Sequence, residues 1–211
     1  MNIRWYFDFI SPFSYLHWQK VKAMRDEFEV MPVPIVFGAV LSAHGQKGPA
    51  EIRGKREFTY RHVLWQARRE GVELCFPPAH PFNPISALRL CIAAGSTMPA
   101  VDAIFAWIWQ HGRAGDGVDA LAPLAATLGV DTQAINTEAT KVALRANTEA
   151  ALAAGVYGVP TLAFEGGPSD GALFWGNDAH DFALAALRNP AVLSEAEMLR
   201  VSALPVGVQR R

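Results

Sequence analysis

Three short stretches of this chain bring together residue types that chemistry uses. The first is Phe7-Asp8-Phe9-Ile10-Ser11-Pro12-Phe13-Ser14-Tyr15, where an apolar run stops at Ser11-Pro12 and a helical pattern begins at once. The first N–H groups of a helix are unpaired and its dipole favours negative charge, so Ser11 sits where an anion is stabilised. Two readings are open there: Ser11 caps the helix, or its hydroxyl donates to a bound anion. A nucleophilic role is the weaker one, because no serine-centred elbow surrounds Ser11 and no histidine is assignable to it. The second stretch is Gly155-Val156-Tyr157-Gly158-Val159-Pro160-Thr161. Pro160 is either a strand-leading proline or a cis proline that offers the preceding backbone N–H and C=O to a peptide-like ligand. The third is Asn177-Asp178, following Phe174-Trp175-Gly176. It reads as a turn and helix cap, or as a carboxylate presented to a ligand amine.

A basic segment lies between them. Arg53, Lys55, Arg56, Arg61, Arg68 and Arg69 outnumber Glu51, Glu57 and Glu70 two to one, with Phe58, Tyr60 and Trp65 close by in sequence. This is a solvated helix face, or one wall of a pocket whose arginines pair with an aromatic carboxylate. His44, His62, His80 and His180 lie in or near loops and basic regions at spacings that match no metal signature, so no metal is expected. Cys75 and Cys91 form no C-x-x-C pair, which argues against a disulfide framework or a dithiol redox centre and for packed core thiols. No glycine loop of the phosphate-binding kind is present, and no aromatic and basic stripe of the single-strand binders.

The elements that must position these residues follow from the patterning. With 211 residues, half of them apolar, and 19 basic against 20 acidic side chains, the chain is an ordinary globular one. It is neither disordered nor built to coat nucleic acid. No apolar run reaches the length of a membrane span, no leader pattern opens the chain, and the cysteine usage fits a cytoplasmic setting. Residues 3–9 read as a mostly buried strand, in which Asp8 either faces solvent at an edge or is paired inside. Tyr15, Trp18, Val21, Met24 and Phe28 recur at helical steps over 13–28. Residues 30–37 read as an edge strand because of Pro32 and Pro34. A loop is expected over 38–54, then a basic helix over 55–70 closed by Gly71. A proline-stiffened loop (76–84) follows, in which Asn83 caps a helix begun by Pro84. Further helices are expected at 85–94, 99–110, 119–128 and 138–153. Strands return at 160–164 and 172–175 as a hairpin, then a helix over 179–188 capped by Asp178, and a weak helical pattern before the basic end Arg210-Arg211. The order β-α-β, helical block, β-β-α is one α/β domain with an all-helical insertion.

The residues then become recognisable. Phe7–Tyr15, His80-Pro81-Phe82-Asn83-Pro84, Gly158-Val159-Pro160-Thr161 and Phe174-Trp175-Gly176-Asn177-Asp178 together resemble the 2-hydroxychromene-2-carboxylate isomerases. These belong to the DsbA-like branch of the thioredoxin superfamily and are relatives of kappa-class glutathione transferases. The likeness runs from about residue 3 to 188, with Gly48-Pro49-Ala50-Glu51-Ile52 and the His80–Pro84 loop leaning to the isomerase side. It implies a thioredoxin-like fold (1–37 and 156–190) with a helical insertion (38–155) and a C-terminal extension (191–211). It also implies a cytoplasmic homodimer that uses glutathione as cofactor on a small aromatic carboxylate. Ser11 matches the active-site serine, standing where disulfide oxidoreductases carry their nucleophilic cysteine. Val159, before a cis-Pro160, would pair with the cysteinyl part of glutathione, and Asn177 and Asp178 with its γ-glutamyl end. Asn83 would lie near the thiol or substrate, and Lys47, Arg53 and Arg56 would contact carboxylates. Relatives often carry an arginine right after the aspartate; here Ala179-His180 follow, so His180 would replace that cation only if it stays protonated. Two alternatives accompany this expectation: a kappa-like glutathione transferase or peroxidase, and a non-catalytic glutathione-binding protein.

Overall fold

The computed structural model describes residues 1–208, so Arg210-Arg211 lie outside the described residues. Strand β1 (Asn2–Phe7) pairs in parallel with β2 (Val30–Pro34) and antiparallel with β3 (Thr161–Glu165). Strand β4 (Leu173–Trp175) adds antiparallel to β3, giving the order β2-β1-β3-β4. That order leaves β2 at an edge, where Pro32 and Pro34 cost the sheet least. β1 ends at Phe7, and Asp8–Ile10 form the turn into helix α1 (Pro12–Met24). The helix buries Tyr15, Trp18, Val21 and Met24. It stops earlier than expected, because the chain turns through Arg25–Glu27 to return to the sheet while Phe28 still packs on the core.

Between β2 and β3 the chain is helical: α2 (Phe37–Ala43), α3 (Lys55–Glu70), α4 (Ile85–Ala93), α5 (Met98–Phe105), α6 (Val118–Thr127) and α7 (Glu138–Ala153). A wider turn, Ala106–Gln110, prolongs α5. The expected helices match within two residues. Helix α2 corrects the reading of 38–54 as a loop: its seven residues are too few to display a period, yet Val40 and Leu41 are buried. Gly71 stops α3 at φ 68°, a conformation that favours glycine.

The insertion and the sheet share one core. Trp5, Phe7 and Phe9 pack against Phe105, with ring centroids of Phe9 and Phe105 4.7 Å apart, and the Trp109 indole donates to the Phe9 carbonyl at 2.7 Å. Burying each such side chain is worth about 1.5–3 kcal/mol. On the other face Tyr6, Val33 and Ala163 meet Val40, Ala151 and Val156. After β4 come a 3₁₀ turn (Asn177–Ala179), α8 (His180–Arg188), a second 3₁₀ turn (Pro190–Ser194) and α9 (Ala196–Ser202). Among the described residues no helix is long and apolar enough to cross a membrane. Cys91 is buried and its thiol pushed up to about 12 by burial. Cys75, expected in the core, is exposed instead, on the extended stretch beside Trp109, where its N–H donates to the Trp109 carbonyl.

Candidate active site

Strand register assembles the site. Tyr6 lies opposite Thr161, and Thr161 opposite Trp175, so the C-terminal end of β1, the start of β3 and the end of β4 share one end of the sheet. Ser11, Val159-Pro160 and Asn177-Asp178 leave from that end. The Gly176 N–H donates to the Pro160 carbonyl at 2.9 Å and ties two of the three together. The Val159–Pro160 bond is cis. Val159 itself makes no backbone hydrogen bond among the described residues, so its N–H and C=O remain for another partner. Gly158 has no room for a side chain, because a Cβ there would strike the Trp175 indole.

Ser11 is the N-cap of α1. Its Oγ accepts the Ser14 N–H at 3.2 Å, which uses an acceptor site and leaves the hydroxyl proton free to donate. Cap and donor are therefore compatible roles. Ser14, the fourth residue of a Ser-x-x-Ser pair, has a buried Oγ without a partner. The sequence reading passed over it, although the spacing Ser11-x-x-Ser14 was there to be read. Asp8 is fully buried and paired inside, with two backbone N–H groups and not with a cation: Ile10 at 3.0 Å and Phe37 at 2.9 Å. Burial outweighs those two bonds and raises its carboxyl to about 7.

A buried polar line runs from the core to the Asn177 turn. The Trp5 indole N–H donates to His17 Nδ1 at 3.1 Å, and His17 Nε2 lies 3.2 Å from His180 Nδ1. An indole only donates, so the proton of His17 resides on Nε2 and that of His180 on its own Nε2. Burial lowers both imidazoles, His17 well below its usual value, with Lys20 acting in the same direction on each. His180 is thus a neutral donor and does not stand in for the missing arginine cation. Lys20 is the cation at this turn: its Nζ donates to the Asn177 carbonyl and pairs with Glu70, both at 3.3 Å. Asn177 is 3% exposed, and its Oδ1 has no partner. Asp178 is exposed and does not cap α8, whose first residues carry no side-chain cap; the 3₁₀ turn takes up the place where the cap was expected. Sequence reasoning missed His17 and Lys20, which stand among other polar residues of α1 (Ser14, Gln19 and Lys22) with nothing local to single them out.

The proline loop reaches the same place. His80 Nε2 donates to the Ile10 carbonyl at 2.8 Å, next to Ser11, and the Tyr60 hydroxyl lies 2.7 Å from His80 Nδ1. Arg56 donates to the His80 carbonyl at 2.8 Å, so α3, the loop and the head of α1 form one connected set. Asn83 is exposed and is not the cap of α4: the helix starts at Ile85 with Pro84 in the cap position and no side-chain cap, while Asn83 Oδ1 accepts the Ile85 N–H at 3.1 Å in a local turn. Lys47 and Arg53 project as exposed side chains without an ion pair or side-chain hydrogen bond among the described residues. Among the described residues no group of three His, Cys, Asp or Glu side chains is arranged to hold a metal.

Known proteins match this architecture over nearly its whole length. A DSBA-like thioredoxin domain model matches residues 2–188. The 2-hydroxychromene-2-carboxylate isomerase of Pseudomonas putida is 29% identical over 187 residues, covering 84% of this chain and 90% of that protein. The enzyme of the same description from Sphingobium xenophagum is 30% identical over 190 residues, covering 86% and 95%. A solved 2-hydroxychromene-2-carboxylate isomerase superposes with a TM-score of 0.77 at 25% identity, covering 94% of this chain and 99% of that one. On these matches the chain belongs to the DSBA-like thioredoxin domain family and, within it, to the 2-hydroxychromene-2-carboxylate isomerase family.

Proposed function

We propose that this chain is a glutathione-dependent isomerase. It would interconvert 2-hydroxychromene-2-carboxylate-type hemiketals and trans-o-hydroxybenzylidenepyruvate-type aryl pyruvates. The observation that carries the reading is Ser11: a capping serine whose hydroxyl proton is free, at the head of a 13-residue helix and at the same end of the sheet as an unengaged Val159 backbone. The residues present fit glutathione. Val159 N–H and C=O suit a peptide backbone, and the buried, partnerless Asn177 Oδ1 suits an ammonium group. Asp178 supplies a further carboxylate at that end.

Glutathione, when bound, would supply a thiolate, a reversible nucleophile of the kind that lets a conjugated double bond rotate without net redox change. The protein's part is to favour that anion. The Ser11 O–H would donate to the sulfur, and the Phe13 N–H, left at the head of α1 because Pro12 has none and Ser14 N–H is taken by Ser11, would with the helix dipole favour the thiolate over the thiol. His80 holds the Ile10 carbonyl and with it the Ser11 turn. Bringing both partners together supplies much of the rate. Asn83, Lys47, Arg53 and Arg56 are the proposed contacts to the substrate. The same reading carries a homodimer in the cytoplasm, serving breakdown of aromatic compounds.

The test is calorimetry with glutathione followed by an absorbance assay on 2-hydroxychromene-2-carboxylate. Turnover with no net loss of glutathione is the expected result. Consumption of glutathione in proportion to product assigns a kappa-like transferase instead, and binding without turnover a non-catalytic glutathione binder.

A further inference from the structure

The outward side of α3 carries an aromatic stack that neither the core nor the proposed chemistry at Ser11 explains. Phe58, His62 and Trp65 follow one another along one side of the helix, opposite the buried Val63 and Ala67. Phe58 is 67% exposed and Trp65 54%. Their rings are nearly parallel: Phe58 to His62 is 5.5 Å at 26°, and His62 to Trp65 is 6.0 Å at 18°. The Arg69 guanidinium covers Trp65 at 4.8 Å from the ring centroid. The middle ring of the stack meets the candidate active site, because Phe13, two residues after Ser11, lies 6.3 Å from His62.

Two large rings kept in water on one helix face mark a binding surface more than a packing accident. Flat rings stack best on flat rings, which suits a planar aromatic ligand. Charge narrows the class. Arg61 and Arg68 are exposed on the same helix without an ion pair among the described residues, and Arg69 shares Glu70 with Lys20. A positive field along a flat face favours an anionic aryl compound over a neutral one. Continuity with Ser11 through Phe13 favours a molecule whose far end reacts there.

We propose that Phe58, His62 and Trp65, continued inward by Phe13, form a shelf on which the ring of an aryl carboxylate substrate stacks beside Ser11. The substrate class rests on the proposed function; the shelf itself is tested apart from it. The probe is 2-naphthoate, a flat aryl carboxylate without the reacting ketone, titrated by calorimetry into the glutathione-saturated protein. Phe58→Ala and Trp65→Ala should each weaken its binding about 3- to 10-fold. Trp65→Phe should restore most of the loss, and glutathione affinity and the unfolding midpoint should stay unchanged. With 2-hydroxychromene-2-carboxylate the same variants should raise KM and leave kcat. Equal naphthoate affinity in wild type and Phe58→Ala/Trp65→Ala, or none in either, overturns the shelf. So does sedimentation showing that the double variant is a monomer where the wild type is a dimer, which makes the face a subunit contact. Naphthoate binding that depends on these rings, without turnover of the chromene, keeps the shelf and sinks the isomerase. Turnover with KM unchanged in the variants does the reverse.

Discussion

Replacing Asp8 by asparagine should stabilise this protein at alkaline pH, although the variant breaks one of two buried hydrogen bonds. The carboxyl is raised from 3.8 to about 7 by complete burial, against the pull of two backbone N–H donors. Between those values the folded chain holds a proton that the unfolded chain has released, so stability falls as pH rises through the window. The integrated loss is about 4 kcal/mol by pH 8. Asparagine is neutral like the protonated acid, but only its one oxygen accepts, so one of the two N–H groups loses its partner at a cost of about 1–3 kcal/mol. Asp8→Asn should therefore lie about 1–3 kcal/mol below wild type near pH 4 and, as wild type loses about 4 kcal/mol, about 1–3 kcal/mol above it at pH 8. Urea unfolding followed by tryptophan fluorescence at fixed protein concentration, at half-unit steps from pH 4 to 8.5, reads both curves. A variant less stable than wild type at pH 8 would refute the reasoning, since the two N–H bonds would then outweigh burial and Asp8 would be ionised at neutral pH.

The remaining predictions are simpler. Burial holds His17 well below its ordinary value, so its contribution is present above about pH 6.5 and lost as pH falls below that. In the Asp8→Asn background this should appear as an acid limb that His17→Gln flattens. Ser11→Ala should cut glutathione-dependent turnover by about 10²-fold, the scale of one lost donor to a developing anion, with the free energy of unfolding falling by only the ~1 kcal/mol of a lost cap. Unchanged turnover would remove Ser11 from the chemistry. Phe105→Ala, at the junction of sheet and insertion, should cost about 3–5 kcal/mol in urea unfolding and loosen both parts in a single transition. Two separate transitions would show that sheet and insertion do not share a core.

Much of this fold could be read from local pattern, and what escaped did so for physical reasons. The long amphipathic helices and the proline-marked edge strand announce themselves because their periods repeat. Helix α2 does not, because seven residues hold two turns and its cap, Val36, is no capping residue. Asp178 looked like a cap because sequence shows an acid before a helix; the 3₁₀ turn that displaces it depends on Gly176, at φ 101°. Ser11, Pro160 and Asn177 were legible as separate local signals, but only strand register brings them to one end of the sheet. The Trp5–His17–His180 line had no local signal, since its three members lie on a strand and two helices far apart in the chain.

The pairing of β1 has a consequence for how the protein is made. Its partner β2 emerges within the first 34 residues, but β3 begins at Thr161, after the whole insertion. During synthesis the other edge of β1, with Trp5 and Phe7, stays open while six helices leave the ribosome, the period in which unpaired strands are prone to aggregate. The helices, being local, form early and lay Phe105 and Trp109 over those rings before the last strands arrive. Ser11 and Val159 therefore meet only when nearly the entire chain has been translated, and a truncated product carries half a site.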